Sequence, residues 1–424
     1  MNKFFLYLVL LLFLSNCGFK DKKVEENPNA ITLFEKSKPI KQELNPALNI
    51  KISTITKGEP FLSNNSNNSG NLDFNSNFEK VFSYKFSTID QFKFNQPEIL
   101  FTEDNSLVFF TGKGDIFKTS TDFEEYWKVN HYSKKEKKLK PILYFAQSGT
   151  DILVLDNLSK VYSIKLETGE LNWTIESKVG FNSNAKIIKN SVVAVDFDNV
   201  IRAFSVKDGK ELWNFDTDNP FIKSQKKLSL LTKGEVVFFI NSIGDVTALN
   251  ANDGSLVWQT PTQSTLIFQD AFTLENSDII FANDTIYFSN NRNEFFAIDA
   301  RSGVLKYKQT INSSLRPTVI EDYVFSISKE GFLFVIDDKT GNVLRITNIF
   351  KNIENKKNQI EPTGFILAQN KVYVSLNNGK LIKLNAVSGN EEGFYKIGKS
   401  RINRPNVFDD GMFILKSNAI IKVE

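Results

Sequence analysis

The sequence predicts an all-β fold, an eight-bladed β-propeller with four-stranded blades, and three observations carry that expectation. Alternating strands recur with a glycine turn and an aromatic residue four places later. The recurrence has a period of about 44 residues, within the range of a propeller blade. The pieces missing at the two ends of the array complement each other.

The clearest copies are Val161–Trp173, Ile201–Trp213 and Val246–Trp258, with Gly169, Gly209 and Gly254 at the turns and Trp173, Trp213 and Trp258 following. A tight hairpin turn needs a residue with positive φ, which glycine supplies without steric cost. Weaker copies place Gly303 before Tyr307, Gly341 before Arg345 and Gly389 before Phe394, the last one position late. Upstream, Phe123 precedes Trp127 and Lys80 precedes Tyr84 at the same spacing. Successive anchors lie 38 to 49 residues apart. Pro405–Glu424 supplies three strands and no outer one, whereas Phe78–Phe86 supplies an outer strand and lacks the other three. The ring is therefore expected to close by pairing the N-terminal strand with the C-terminal blade, which hides strands that would otherwise template aggregation.

Composition excludes several function classes. With 424 residues, 41% hydrophobic and 24% charged, the chain can bury a large core. Its 39 phenylalanines suit wide interfaces between packed sheets. The balance of 52 basic and 49 acidic residues leaves a formal charge of +3, without the basic surplus of a nucleic-acid binder. One cysteine and one histidine permit neither an internal disulfide nor a structural zinc site. The histidine, His131, adjoins the lysine-rich run 134–140, which reads as a solvated loop or as a contact for anions and lipid headgroups. Thr111–Asp115 is glycine-rich but has the context of a hairpin rather than of a phosphate-binding loop. Asp245, Asp253, Asp299 and Asp337 fall in or beside hairpin turns and read as turn residues rather than metal ligands. The repeat tryptophans read as packing between blades rather than as a cofactor sandwich. No catalytic, metal or cofactor site emerges, and none is expected.

The N-terminus carries an address. Lys3 and the apolar run Phe4–Leu14 are too short to span a bilayer and suit a signal peptide over residues 1–16. Leu14-Ser15-Asn16-Cys17 resembles the bacterial lipobox, although Asn16 departs from the small residue preferred before the cysteine. The resemblance implies that Cys17 is lipidated and becomes the mature N-terminus, and Gly18 after it implies the outer membrane. Residues 17–77 include charged Asp21–Glu26 and polar, low-complexity Ser63–Asn71, and are expected to form a flexible tether. Residues 78–424 are expected to form the propeller.

The alternating strand, the turn and the Leu-x-Trp strand resemble the pyrroloquinoline-quinone-type propeller repeat. That repeat occurs in quinoprotein dehydrogenases and in the BamB family of outer-membrane assembly lipoproteins. The dehydrogenase resemblance implies adjacent cysteines near a quinone, which this chain lacks, and a quinone-dependent enzyme or another envelope-binding propeller stands as the alternative. The BamB resemblance implies a non-catalytic scaffold, lipid-anchored on the periplasmic face of the outer membrane. Its implied partner is the central barrel subunit, BamA, docked through its periplasmic domains; contact with nascent outer-membrane proteins is left open. The family's docking loop is a Leu-x-Leu-Arg stretch after a blade tryptophan. The matching stretch here follows Trp213, where Phe221, Ile222 and Lys223 offer an apolar anchor and a cation, with Lys226 and Lys227 as further exposed cations beside it, while Ser224 and Gln225 depart from the motif. An ordinary loop is the competing reading of that stretch.

Overall fold

The computed structural model describes residues 38–55, 65–76, 78–218, 224–262, 274–353 and 360–424. The described residues form eight sheets of four antiparallel strands; seven take their strands in sequence order, the closing sheet takes its outermost strand from Val81–Lys85, and one carries an added fifth strand that runs parallel. Blade 2 is representative, with strands Leu143–Ser148, Asp151–Asp156, Lys160–Lys165 and Leu171–Glu176. The second and third strands are buried on both faces, so they read as nearly continuous apolar runs such as Ser191–Val195 and Phe332–Asp337. Outer strands such as Leu171–Glu176, Glu211–Asp216 and Glu391–Lys396 alternate because only one of their faces packs.

Ring closure occurs as the sequence predicts. Val81–Lys85 pairs antiparallel with Ala419–Val423, in register Val81 to Val423 and Tyr84 to Ile420. It thereby completes the blade begun by Asn406–Phe408 and Gly411–Lys416.

The Gly–Trp spacing has a cause that a single repeat does not reveal. Each tryptophan packs on the glycine turn of the next blade, not on its own. The indole N–H groups of Trp127, Trp173, Trp213 and Trp258 donate to the carbonyls of Leu166, Val206, Ala251 and Ala300, each at 3.0 Å. Those carbonyls stand three residues before Gly169, Gly209, Gly254 and Gly303. Gly209 has φ of 73°, and a Cβ there would lie 2.5 Å from the Trp173 ring. Glycine is required both by the backbone and by its neighbour. At the closing junction Tyr84 stacks on Phe117 and its hydroxyl donates to Glu125.

Blade 6 replaces the tryptophan with Arg345, fully buried. Its Nη2 donates to Ala386 O at 2.7 Å, the carbonyl equivalent to those bound by the indoles three residues before Gly389. Its Nη1 donates to Val387 O and, at 2.9 Å, to Leu48 O. Burial pulls its pKa down to about 10.

The bond to Leu48 belongs to a correction. Residues 38–55 and 65–76, expected to be tether, pack on the propeller. Leu44 and Ile346 exchange backbone hydrogen bonds, and Ile50 and Ile52 enter a core cluster with Phe365 and Ile382. Residues 65–72 run along the inner strands. Asn65 and Ser66 carbonyls accept from Thr232 and Phe281 N–H, Asn68 bonds both backbone groups of Val319, and Asn71–Leu72 adds a parallel strand to Pro362–Ala368. Asn67 is 1% exposed and donates to Leu230 O and Ile279 O, each at 3.0 Å. The physical reason is that the axis-facing edge of every inner strand leaves backbone groups unpaired, and short amide and hydroxyl side chains satisfy them. The signal peptide and Cys17 lie outside the described residues.

Candidate functional site

The loop singled out in the sequence joins strands Glu211–Asp216 and Leu230–Lys233. Phe221, Ile222 and Lys223 lie outside the described residues. Its C-terminal shoulder is described and differs from expectation. Lys226 and Lys227, read as cations beside an exposed anchor, are 5% and 4% exposed. Lys227 N–H donates to Phe94 O, and its ammonium reaches Gln96 O at 3.2 Å and Glu98 at 3.3 Å. Lys226 donates to Ser314 O at 2.9 Å and to Asn276 O. Their partners lie on other blades, so local sequence gives no hint of burial.

These lysines join a charge cluster where the inner strands begin. Lys186, Lys226, Lys227, Arg316 and Arg404 meet the carboxylates of Glu98 and Asp278. Arg316 forks between the two, with Nη2 at 2.7 Å from Glu98 and 2.6 Å from Asp278. Burial alone pushes the Asp278 carboxyl up, but Arg316, Lys227 and Lys226 together outweigh it and hold the group well below the ordinary carboxylate range. Burial pulls Lys186 and Lys226 down to about 8, with the neighbouring cations adding to the effect. Arg404 falls to about 9 through burial and then through repulsion by Arg316. The segment holding helix α1, Phe92–Asn95, lies over this end and contributes Gln96 and Glu98.

The lysine-rich run resolves into helix α2, Lys134–Lys138, with a capping box between Ser133 and Glu136. The Lys160 ammonium bonds Glu136 at 2.6 Å and, ahead of the capping bonds, draws its pKa down to about 2. His131 is not free in a solvated loop. Its Nε2 lies 3.0 Å from Gly169 O and its ring meets Tyr162 edge-on, so it joins two blades. Burial lowers its pKa. Asp253, Asp299 and Asp337 accept from Ser255, Ser302 and Thr340 within their turns, as turn residues do. Among the described residues, no group of three or more His, Cys, Asp or Glu side chains is placed to hold a metal ion.

A second surface escaped sequence reasoning. Leu171, Leu212, Leu256 and Leu305 stand two or three residues after the turn glycines and point outward, Leu212 being 51% exposed. With Val81, Phe82 and Tyr126 they place exposed apolar side chains on the outermost strands of successive blades. The signal was present in the Leu that precedes Trp173, Trp213, Trp258 and Tyr307, but its outward direction follows only once the aromatic residue is known to face the next blade.

Comparison with known proteins agrees with this architecture. A crystal structure of BamB from Moraxella catarrhalis superposes with a TM-score of 0.63 at 15% identity, over 81% of this chain and 100% of that one. A europium-containing methanol dehydrogenase gives 0.62 at 9% identity, over 83% of this chain and 88% of the other, a likeness of fold alone. In sequence, the outer membrane protein assembly factor BamB of Moranella endobia (strain PCIT) is 20% identical over 272 residues, 63% of this chain and 68% of that protein. The protein of the same name from Salmonella typhimurium is 30% identical over 118 residues, 26% of this chain and 30% of its own length. The profile of the family described as outer membrane protein assembly factor BamB matches residues 114–347. That match takes in the tryptophan staples and most of the charge cluster and exceeds half of the chain, which therefore belongs to the BamB family of outer membrane protein assembly factors.

Proposed function

We propose that this protein is a non-catalytic scaffold of the outer-membrane β-barrel assembly machinery, docking to the periplasmic domains of the central barrel subunit, BamA, and assisting insertion of outer-membrane proteins. The observation that carries the reading is family membership across the repeats 114–347. The exposed leucines of the outer strands support it, because a scaffold acts through surface, and exposed apolar area is what partner interfaces bury. Cys17 is the proposed lipid attachment site, which places the propeller at the periplasmic face of the outer membrane. The dehydrogenase reading finds less room. Residues 65–72 lie against four inner strands, Leu230–Lys233, Ile280–Ala282, Thr318–Ile320 and Pro362–Ala368, and so cover that part of the axis.

Co-purification from detergent-solubilised envelopes tests the proposal. A tagged full chain should retain the barrel subunit. Recovery of intact, folded protein without that subunit under mild detergent would argue for another envelope role.

A further inference from the structure

The charge cluster is not fully paired, and the space beside it has the chemistry of a ligand site. Two cavities adjoin one another under Gln96, sharing Ser314 and Leu315 in their walls. One, of about 50 Å³, is lined by Glu98, Asp278, Arg316 and Arg404. The other, of about 60 Å³, has Lys93, Lys226, Lys329 and Arg401 as its cations and Glu275 and Glu361 as its carboxylates, with Lys93 paired to Glu275 and Lys329 to Glu361. In the first, Glu98 and Asp278 are already engaged by Arg316 and Lys227. Arg404 is not. Its Nε donates to Phe365 O at 3.0 Å and its Nη2 to Ser69 Oγ at 2.9 Å, and it pairs with no carboxylate among the described residues. In the second, Arg401 Nε is buried and has no hydrogen-bond partner among the described residues. Gly364 makes room here, since a Cβ at that position would stand 2.4 Å from Arg404 Cβ.

We infer that this two-lobed space binds a small oxyanion, a carboxylate or a phosphate group, with Arg404 as its principal charge and Arg401 and Lys226 facing the neighbouring lobe. Removing a cation from water is costly unless a counter-charge meets it, and Arg404 bonds only a carbonyl and a hydroxyl, with no carboxylate partner among the described residues. A guanidinium with free N–H groups matches the two oxygens of a carboxylate or phosphate, which accept in parallel. Glu98 and Asp278 in the wall disfavour a multiply charged ligand, so a single negative charge fits best. Two sources supply that chemistry: inorganic phosphate, and the C-terminal carboxylate of a peptide.

Calorimetric titration of the full mature chain in chloride buffer at fixed ionic strength tests the inference. The probes are inorganic phosphate and an acetylated dipeptide with either a free or an amidated C-terminus. One probe should bind saturably at one site, and Arg404→Gln should weaken it at least about tenfold, while Lys165→Gln, an exposed cation elsewhere, leaves it unchanged. Binding of the free but not the amidated peptide identifies a chain terminus as the source, and binding of phosphate alone identifies the phosphate group. If Arg404→Gln fails to fold, Arg401→Gln, which among the described residues has no hydrogen bond at Nε to lose, takes its place with the same expected direction. No saturable heat from either probe up to about 10 mM, or equal affinity in the folded arginine variants, overturns the site.

Discussion

Replacing Asn67 with leucine tests whether the polar N-terminal segment is part of the fold. The side chain is 1% exposed, and its one amide group spans two blades, donating at 3.0 Å to Leu230 O and Ile279 O. Leucine has a similar volume but no donor, so packing is nearly conserved and the loss is in hydrogen bonding. Leu230 O keeps a second donor, Asn184 Nδ2 at 3.3 Å, so its share is the net worth of one bond, about 1 kcal/mol. Ile279 O is left with less, and a stranded buried acceptor costs about 1–3 kcal/mol. The sum is about 2–4 kcal/mol. The effect should also be local. The amides of Thr232 and Phe281, which donate to Asn65 and Ser66, should lose protection in hydrogen exchange because the segment that covers them is loosened. Denaturant unfolding followed by tryptophan fluorescence reads the first effect, and exchange mass spectrometry the second. An unchanged midpoint together with unchanged exchange at those amides would refute the packed segment and restore a tether.

Other outcomes follow from the same structure. Gly209→Ala forces a side chain into the left-handed region and against the Trp173 ring, and should cost about 2–4 kcal/mol in denaturant unfolding; wild-type stability would show that the staple does not constrain the turn. Lys226, drawn down to about 8 in the folded protein from an ordinary value of 10.5, binds fewer protons there than in the unfolded chain between those values. Stability should therefore rise as pH climbs from 8 toward 10, and Lys226→Met should flatten that rise; an identical slope in the variant would contradict the assignment. Cys17→Ser should shift the protein from the membrane to the soluble envelope fraction with its melting unchanged, because a lipid anchor holds the chain without contributing core; continued sedimentation with membranes would exclude Cys17 as the anchor.

What was legible in the sequence was whatever a repeated physical constraint had stamped on it. Gly209 and Trp173 constrain each other across a blade boundary, and repetition of that pair made blade number and closure readable. Packing of the tryptophans between blades was readable, but not that each one seats on the glycine turn of the following blade, because the clearest units carry both residues. Arg345 looked like a degraded copy, yet its guanidinium reaches the same carbonyl as the indoles and adds Leu48. Asn65–Asn71 has the composition of a linker, and nothing in it announces a fit to backbone groups of strands more than 150 residues away. Lys226 and Lys227 read as surface charge for the same reason, since Ser314 and Glu98 are remote in sequence. Polar residues whose partners are distant backbone atoms leave no periodic trace.

The most direct test of the scaffold is binding of the purified mature protein to the purified periplasmic domains of the barrel subunit, compared with a Phe221→Ser, Ile222→Ser double variant. Saturable binding by the wild type is expected. The variant, folded by circular dichroism, should bind about 2 kcal/mol more weakly if the loop after Trp213 supplies the apolar anchor. Undiminished affinity in the variant would move the contact to another surface, such as the leucines of the outer strands. No detectable binding of the folded wild type at about 100 µM would contradict the scaffold itself.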